Sequence, residues 1–236
     1  MLKTFPFFIW KGFNSFEDFD CVIENELSDI SPTRRVESIT IQGRNGTLHK
    51  SNGDYESFSY EIKDITIPKN KLSEVKKWLQ GSGRLITHND IDKYWNATVL
   101  MSNAFEFKNN WGWYYTFDIT FECQPFKYKV VENPSTLSKG ENIIYDSGTA
   151  VARPYFEFMS SGGDITIEIE NNIFTLLNTQ AGLITLDSEK GLAIFDGSIV
   201  KTRGDWRALK LMNGKNLITI DGNFKNATIL KRSVWY

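Results

Sequence analysis

The residue types that most often carry out catalysis are few in this chain, and they lie far apart in the sequence. There are two histidines, His49 and His88, and neither stands in a recognisable nucleophile motif. A hydrolytic triad needs a base beside a nucleophile and an orienting acid, so we interpret both as loop histidines that face solvent. Cys21 and Cys123 have no metal or redox spacing and are expected to be free, buried thiols. We therefore predict that the chain is not an enzyme.

Two short motifs raise the question of a bound cation or nucleotide. Asp90-Ile-Asp92 offers two carboxylates, but Ca²⁺ takes six or more oxygen ligands and no loop of that pattern follows. Gly81-Ser-Gly83 lacks the third glycine and the preceding strand of a dinucleotide fingerprint. We expect neither a metal nor a cofactor. Carboxylate pairs for glycoside hydrolysis stay open, since the chain has 29 acidic residues whose separations the sequence does not give.

Charge and composition argue against several classes of partner. The chain has 27 basic and 29 acidic residues, with no block of like charge, so neither nucleic-acid recognition nor a polybasic membrane patch is expected. No apolar run approaches the ~18 residues of a membrane span. The apolar run Phe5–Trp10 contains Pro6 and precedes no small-residue cleavage site, so we interpret it as a strand and not as a targeting segment.

The elements that must position any site are mostly strands. From Trp111 to Phe126 every second residue is apolar or aromatic, which predicts one strand with one apolar face. Thirteen residues of strand span roughly 43 Å at ~3.3 Å per residue, well beyond the usual length. We expect Phe117–Cys123 to lie in a core, Trp111–Tyr115 to extend beyond it, and Pro125-Phe126 to end the strand.

The rest of the first half is predicted to contain one helix and several strands. Asn70 can cap the helix, Leu72, Val75 and Leu79 share a face, and Gly81 supplies the stop. Asn45-Gly46 is a strong signal for a tight turn. Strands are predicted at Val36–Ile41 and at Tyr55–Ile67.

The pattern changes after about residue 130. Glu132–Gly140 is polar and interrupted by proline, and it predicts a boundary between domains 1–133 and 134–236. Short strand-like runs follow, separated by turn signals such as Gly162-Gly163, Gly182 and Asp221-Gly222, and this rhythm predicts an all-β sandwich. The runs are Tyr155–Met159, Ile165–Ile169, Ile173–Leu177, Leu183–Leu186, Leu192–Phe195, Ala208–Met212, Leu217–Ile220 and Ala227–Leu230.

One aromatic in this second half could bind a ligand. Trp206 follows Gly204-Asp205 and precedes Arg207, and an aromatic ring on a β-sandwich can stack against a sugar. Tryptophans more often fill a core or an interface. The alternative function is therefore a carbohydrate-binding module that contacts host cell-wall polysaccharide, with Trp206 and Arg207 as candidate sugar or partner contacts.

Several motifs together resemble the distal tail protein family of long-tailed phages that infect Gram-positive bacteria. The resemblance covers nearly the whole chain and is most specific over residues 12–128. The motifs are Gly12-Phe-Asn-Ser-Phe-Glu-Asp-Phe19, Pro32-Thr-Arg-Arg-Val-Glu-Ser-Ile-Thr-Ile-Gln-Gly-Arg-Asn-Gly46, the helix that ends at Lys77-Trp-Leu79, Tyr115–Tyr128 with its Pro-Phe-x-Tyr end, Gly204-Asp-Trp206 and Asn213-Gly-Lys-Asn216.

The resemblance implies a structural hub in a phage, or prophage-derived, tail tip. It implies an N-terminal β-sandwich or barrel-like domain with one helix, which closes a hexameric ring of this chain, and a C-terminal galectin-like β-sandwich. The ring would join the major tail tube protein to the tail-tip protein and, in many phages, to receptor-binding proteins, so the chain would reside in the virion. Candidate ring-interface residues are Trp111, Trp113, Tyr115, Arg44 and Asn45.

Overall fold

The chain forms two compact, mainly β units. The computed structural model describes residues 5–100 and 106–236. The first unit comprises the described residues up to Val130 together with Tyr236, and the second runs from Val131 to Trp235. The sequence-based division between residues 133 and 134 lies three positions beyond this one. The mainly β fold class is confirmed.

The first unit is built from nine strands and a short helix among its described residues. Its main sheet contains β9, β7, β6, β1 and β2 in that order, with β5 and β8 also paired to β9, while β3 and β4 form a separate two-stranded sheet. The elements are β1 (Phe8–Trp10), β2 (Phe13–Asn14), β3 (Glu37–Thr40), β4 (Thr47–Lys50), β5 (Phe58–Pro68), α1 (Leu72–Trp78), β6 (Ser82–Thr87), β7 (Lys93–Val99), β8 (Lys108–Asn110) and β9 (Tyr114–Lys129).

β9 is long because it pairs with three other strands of the first unit. It pairs with β8 and β5 through its first half and with β7 through its second half. Phe117, Ile119, Phe121 and Cys123 on this strand are all buried in the core of the unit. The predicted core segment is confirmed, and the strand's length follows from the number of strands that it joins.

The aromatic pattern nevertheless begins before the strand does. Trp111, Gly112 and Trp113 form the turn between β8 and β9, and Trp111 and Gly112 have φ values of 59° and 74°. Two successive residues in this left-handed region reverse the chain here, because β8 and β9 pair antiparallel on either side of them. The prediction that the strand starts at Trp111 is therefore wrong.

The strand also continues beyond its predicted end. β9 runs through Pro125-Phe126, so the prediction that this pair stops it is wrong. Pro125 lies between Cys123, which pairs with Ala97, and Lys127, which pairs with Trp95. The ladder with β7 shifts register between these two pairs. The ladder with β5 reaches only to Cys123. The N–H group that proline lacks is therefore not needed by either ladder, and proline is tolerated at such irregular positions.

The helix packs its predicted face into the core but begins differently. Val75 and Leu79 are buried, as predicted. Asn70 does not cap it, because a 3₁₀ turn over Lys69–Lys71 leads directly into α1 and no side chain caps either start. Trp78, which the helical pattern did not single out, stacks on Phe19 with the ring centroids 4.2 Å apart.

The second unit is a sheet of β10, β17, β12, β13, β14 and β15 in that order, with β11 paired to β17 and β16 paired to β13. The strands are β10 (Ser135–Leu137), β11 (Gly140–Asp146), β12 (Tyr155–Ile169), β13 (Asn172–Asp187), β14 (Leu192–Phe195), β15 (Ser198–Ile199), β16 (Thr202–Arg203), β17 (Gly214–Leu230) and β18 (Val234–Trp235).

Three of these strands are far longer than the predicted ones. Each of β12, β13 and β17 joins two of the predicted short runs, so the turns predicted at Gly162-Gly163, Gly182 and Asp221-Gly222 are wrong. Gly162 and Gly163 have φ of 101° and 94° and lie where the β12–β13 ladder shifts register. A glycine at such a bulge bends a strand without ending it. The two halves of each long strand can thus follow a curved sheet around one core.

Candidate functional site

The two most exposed large hydrophobic side chains among the described residues of the first unit lie at the tip of the β8–β9 hairpin. Trp111 is 96% exposed and Trp113 is 75% exposed, and Tyr114 beside them is 54% exposed. We call these three residues the aromatic tip. Three exposed aromatic side chains within four residues of one turn are the kind of apolar surface that marks an interaction site.

The main chain of the aromatic tip is held by hydrogen bonds although its rings face solvent. The Gly112 N–H donates to the Asn109 side-chain oxygen at 2.8 Å. The Trp113 carbonyl accepts from the Lys69 N–H at 2.9 Å, which ties the turn to the segment before α1. The rings are therefore presented on an ordered turn, so less entropy is lost when a partner covers them.

Tyr115, a predicted interface residue, does not join the aromatic tip. It is half-buried and packs against the core of the first unit. Tyr114 takes its place on the exposed side, because the turn at Trp111–Trp113 removes the alternation that would have placed Tyr115 with the two tryptophans. In the sequence, Tyr114 could have been recognised as a third aromatic residue close to Gly112, the glycine of the turn.

Arg44 and Asn45 lie in the turn of the β3–β4 hairpin, and both are exposed. The hairpin is a two-stranded sheet of its own, and its Val36, Ile41 and Leu48 are exposed as well. An isolated two-stranded hairpin is marginally stable in water. This hairpin is therefore a second surface of the first unit that a partner would stabilise.

The segment before this hairpin is fixed to the sheet by side chains. The Tyr60 hydroxyl donates to the Ser28 carbonyl at 2.7 Å, and the Asn89 amide donates to the Leu27 carbonyl at 2.6 Å. The buried Lys127 ammonium lies 2.8 Å from the Asp29 carboxylate. The chain is thus anchored at residues 27–29, ahead of the hairpin, while the turn of the hairpin is exposed.

The candidate catalytic and cation-binding residues have structural partners. His49 lies opposite Ser38 in the β3–β4 ladder, with 3.2 Å between the Ser38 hydroxyl and Nδ1. His88 Nε2 lies 2.9 Å from a Glu26 carboxylate oxygen. Within residues 5–100 and 106–236, no group of three or more His, Cys, Asp or Glu residues is placed to hold a metal ion.

The acidic loop is neutralised by lysines. Asp90 is paired with Lys93 at 2.7 Å and with Lys127 at 3.0 Å. Burial raises the pKa of Asp90, but the hydrogen bonds from Lys93 and Lys127 outweigh burial and hold that pKa below its ordinary value. The carboxylate therefore belongs to an internal ion-pair network.

Trp206 is part of the packing of the second unit. It is half-buried, its ring meets that of Phe174 edge-on with centroids 4.6 Å apart, and Gly191 lies against it. Arg207 is exposed beside it. A ring held in this way offers less free face for stacking a sugar than one standing in solvent.

An open cleft of about 290 Å³ lies elsewhere on the second unit. It is lined by residues 177–180 on one side and by Phe195 and residues 198–201 on the other, so it includes neither Trp206 nor Arg207.

Comparison with solved structures identifies a similar fold. The chain matches the crystal structure of the Dit (gp 19.1) protein of SPP1 with a TM-score of 0.74 and 11% sequence identity, covering 99% of this chain and 100% of that chain. That protein is described as a paradigm of the hub of the adsorption apparatus in phages that infect Gram-positive bacteria.

Sequence comparisons and helix length add two findings. No protein-family model and no curated protein matches the sequence. No helix in the described part of the chain is long and apolar enough to cross a membrane. In fold, and over its whole length, the chain is similar to the Dit hub protein of a phage that infects Gram-positive bacteria.

Proposed function

We propose that this chain is a structural hub of a phage, or prophage-derived, tail tip. Copies of its first unit close a hexameric ring that links the tail tube protein to the tail-tip protein. The second unit is a galectin-like sandwich, spanning about residues 134–236, that serves as a docking arm for receptor-binding proteins. The chain resides in the virion, at the tail tip, and the role requires no catalysis.

The observation that carries this proposal is the full-length likeness to SPP1 Dit. Both units are matched together, over 99% of one chain and 100% of the other. Agreement across two successive units constrains the proposal more than one matched sandwich, because single β-sandwiches host many functions. The motifs in residues 12–128 point to the same family through independent features of the sequence.

The aromatic tip supports a contact between copies. Trp111 and Trp113 gain little burial energy within their own subunit, and burying them in a neighbouring subunit would remove a large apolar area from solvent. Tryptophan and tyrosine are also the residues that most often dominate interface energetics. In a closed ring, the aromatic tip of every copy is buried by a neighbouring copy.

The charges of the first unit support a head-to-tail arrangement. The hairpin segment from Thr33 to Lys50 carries four basic residues and one acid, whereas Gly12–Pro32 carries exposed acids and no lysine or arginine. A ring needs two different patches on each copy, which meet at every interface. Opposite charge on two such patches favours association in one register. The basic residues are Arg34, Arg44 and Lys50, together with Arg35, which already pairs with Asp54 and Glu56. The acids of Gly12–Pro32 are Glu17, Asp18, Asp20 and Glu24, together with Glu26 and Asp29, which already contact His88 and Lys127.

Light scattering coupled to size-exclusion chromatography tests the proposal, with negative-stain electron microscopy of the same fractions. The proposal predicts a particle of six chains with a central opening, stable on dilution and weakened by salt. A chain that stays monomeric at high concentration, alone and mixed with its tail-tip partner, would refute it. Particles of a different copy number would refute the hexamer while leaving a ring.

A further inference from the structure

The second unit has a strand with an open edge. β11 pairs with β17 in continuous register and with no other strand among residues 5–100 and 106–236. Asn142 and Ile144 lie opposite Ile218 and Asn216 of β17. The Asn142 side-chain amide donates to the Ile218 carbonyl and the Asn216 side-chain amide to the Ile144 carbonyl, which is consistent with main-chain groups of residues 142 and 144 that face β17. Because main-chain groups alternate along an antiparallel strand, Ile143 and Tyr145 direct theirs outward.

This edge lacks several of the features that usually prevent strand addition. Ile143 is 56% exposed and Tyr145 is 65% exposed, and Leu217 lies opposite Ile143 in the ladder and is exposed too. The strand contains no lysine, no proline and no bulge. Natural sheets protect their edges with such residues or irregularities, and an apolar edge without them readily accepts another strand.

One main-chain group on this edge already has a partner. The Tyr145 carbonyl accepts from the Lys231 ammonium at 3.0 Å. A carbonyl oxygen has two lone pairs, so it can accept a second hydrogen bond from an added strand. The contact leaves the N–H groups of Ile143 and Tyr145 directed away from the sheet.

We propose that β11 pairs antiparallel with β11 of a second copy, about a two-fold axis at Ile144. In this register Ile143 lies opposite Tyr145 of the second copy, and the pair occurs twice. Pairs of a β-branched and an aromatic side chain are favourable cross-strand neighbours. Glu141 lies opposite Ser147, so no like charges meet. This self-complementarity favours a second copy over an unrelated extended peptide as the occupant.

The β11 contact lies beyond the proposed function. The ring contact is assigned to the aromatic tip and the β3–β4 hairpin of the first unit, whereas this one lies wholly on the second unit. A single strand pair buries less area than a standard interface, so association of free chains is expected to be weak and concentration-dependent.

Sedimentation of the full chain carrying Trp111→Asp and Trp113→Asp tests the β11 contact separately from the ring. We expect a monomer–dimer equilibrium in this background. Adding Ile143→Lys should raise the dimer dissociation constant at least about tenfold, since it removes both apolar pairs. Ile173→Lys is the matched control, because Ile173 is 60% exposed on β13 and should leave the equilibrium unchanged.

Ile143→Pro asks whether the main chain carries the contact. The N–H of residue 143 points away from β17, so proline should leave the native ladder intact and block the added strand.

Hydrogen exchange of the unaltered chain gives a measurement that needs no variant. The amides of Ile143 and Tyr145 should become protected as concentration rises, while those of the Ile173 region should not.

The outcomes separate this contact from the ring. A tip variant that stays monomeric at all concentrations overturns the self-pairing and leaves the edge to an extended segment of another protein. A dimer that survives both Ile143→Lys and Ile143→Pro overturns it as well. An unaltered chain that forms only dimers, dissociated by Ile143→Lys, would refute the ring and support the β11 contact.

Discussion

The two ends of one aromatic stretch behave in opposite ways. Phe117–Cys123 places alternate side chains in the core, whereas Trp111 and Trp113, in the same sequence pattern, are almost fully exposed. Large aromatic residues can occupy either a core or an exposed interface. What differs is the backbone: the first segment pairs with β5 along its length and with β7 at its end, whereas Trp111–Trp113 form a turn. We propose that assembly explains why large rings are exposed on an ordered turn.

The largest loss of stability should come from a substitution in the buried segment Phe117–Cys123. Phe121 has no exposed surface and packs against Phe8 and Trp10, with ring centroids 5.8 and 5.0 Å away. Phe121→Ala should lower the free energy of unfolding of the first unit by about 3–5 kcal/mol, because it removes buried area and leaves a cavity. Denaturant unfolding measures this. Phe121→Leu, the control, should cost less, and equal losses would contradict the packing argument.

An intermediate effect should come from Trp206. Because its ring packs on Phe174, Trp206→Ala should destabilise the second unit by about 2–3 kcal/mol, less than truncation of a fully buried ring. Arg207→Ala, next to it and exposed, should change the stability by less than about 0.5 kcal/mol. If Trp206→Ala instead keeps its stability and abolishes heat of binding to cell-wall polysaccharide, Trp206 is a sugar contact.

A buried ion pair in the second unit should make its stability depend on pH. Arg232 contacts both carboxylate oxygens of Asp187, at 2.7 and 3.0 Å. Burial raises the pKa of Asp187, but hydrogen bonds from Arg232 outweigh burial, and the folded-state pKa lies below the unfolded value. The stabilisation is therefore fully present above about pH 4 and is lost as pH falls through the lower, folded pKa.

Asp187→Asn should accordingly cost about 1.5 kcal/mol at pH 7 and much less at pH 2. Thermal unfolding across this range measures the difference. A cost that does not change with pH would show that the pair's charge is unimportant and that only its hydrogen bonds count.

The sequence predicted which side chains are buried better than it predicted where strands turn or continue. Alternation identified the core residues of β9, and the motifs over residues 12–128 indicated the fold. Alternation could not show that Trp111 lies in a turn, because a turn residue and a strand residue can have the same polarity. Glycines such as Gly162 and Gly222 predicted turns but mark bulges, since positive φ serves both and only pairing across the sheet distinguishes them. The exposure of Tyr114 followed from the turn and was missed with it.

A small effect on folding is expected from the charged end of the β3–β4 hairpin. Arg44→Glu should change the unfolding free energy by less than about 0.5 kcal/mol, because the side chain is exposed. It should nevertheless weaken assembly about tenfold or more and reduce its dependence on salt, since like charges would then meet across the interface. Arg207→Glu controls for net charge. Equal effects of the two variants on assembly would contradict the assignment of the hairpin to the ring.

The role of the aromatic tip in the ring can be measured from the mass of the Trp111→Asp, Trp113→Asp chain beside the unaltered chain at equal concentration. We expect a six-chain ring for the unaltered protein, and a folded variant with unchanged unfolding free energy that no longer forms it. Ile199→Asp, an equally drastic change at an exposed site of the second unit, should leave the ring intact. A variant that still closes the ring, or that fails to fold, would contradict the assignment of the aromatic tip to the interface.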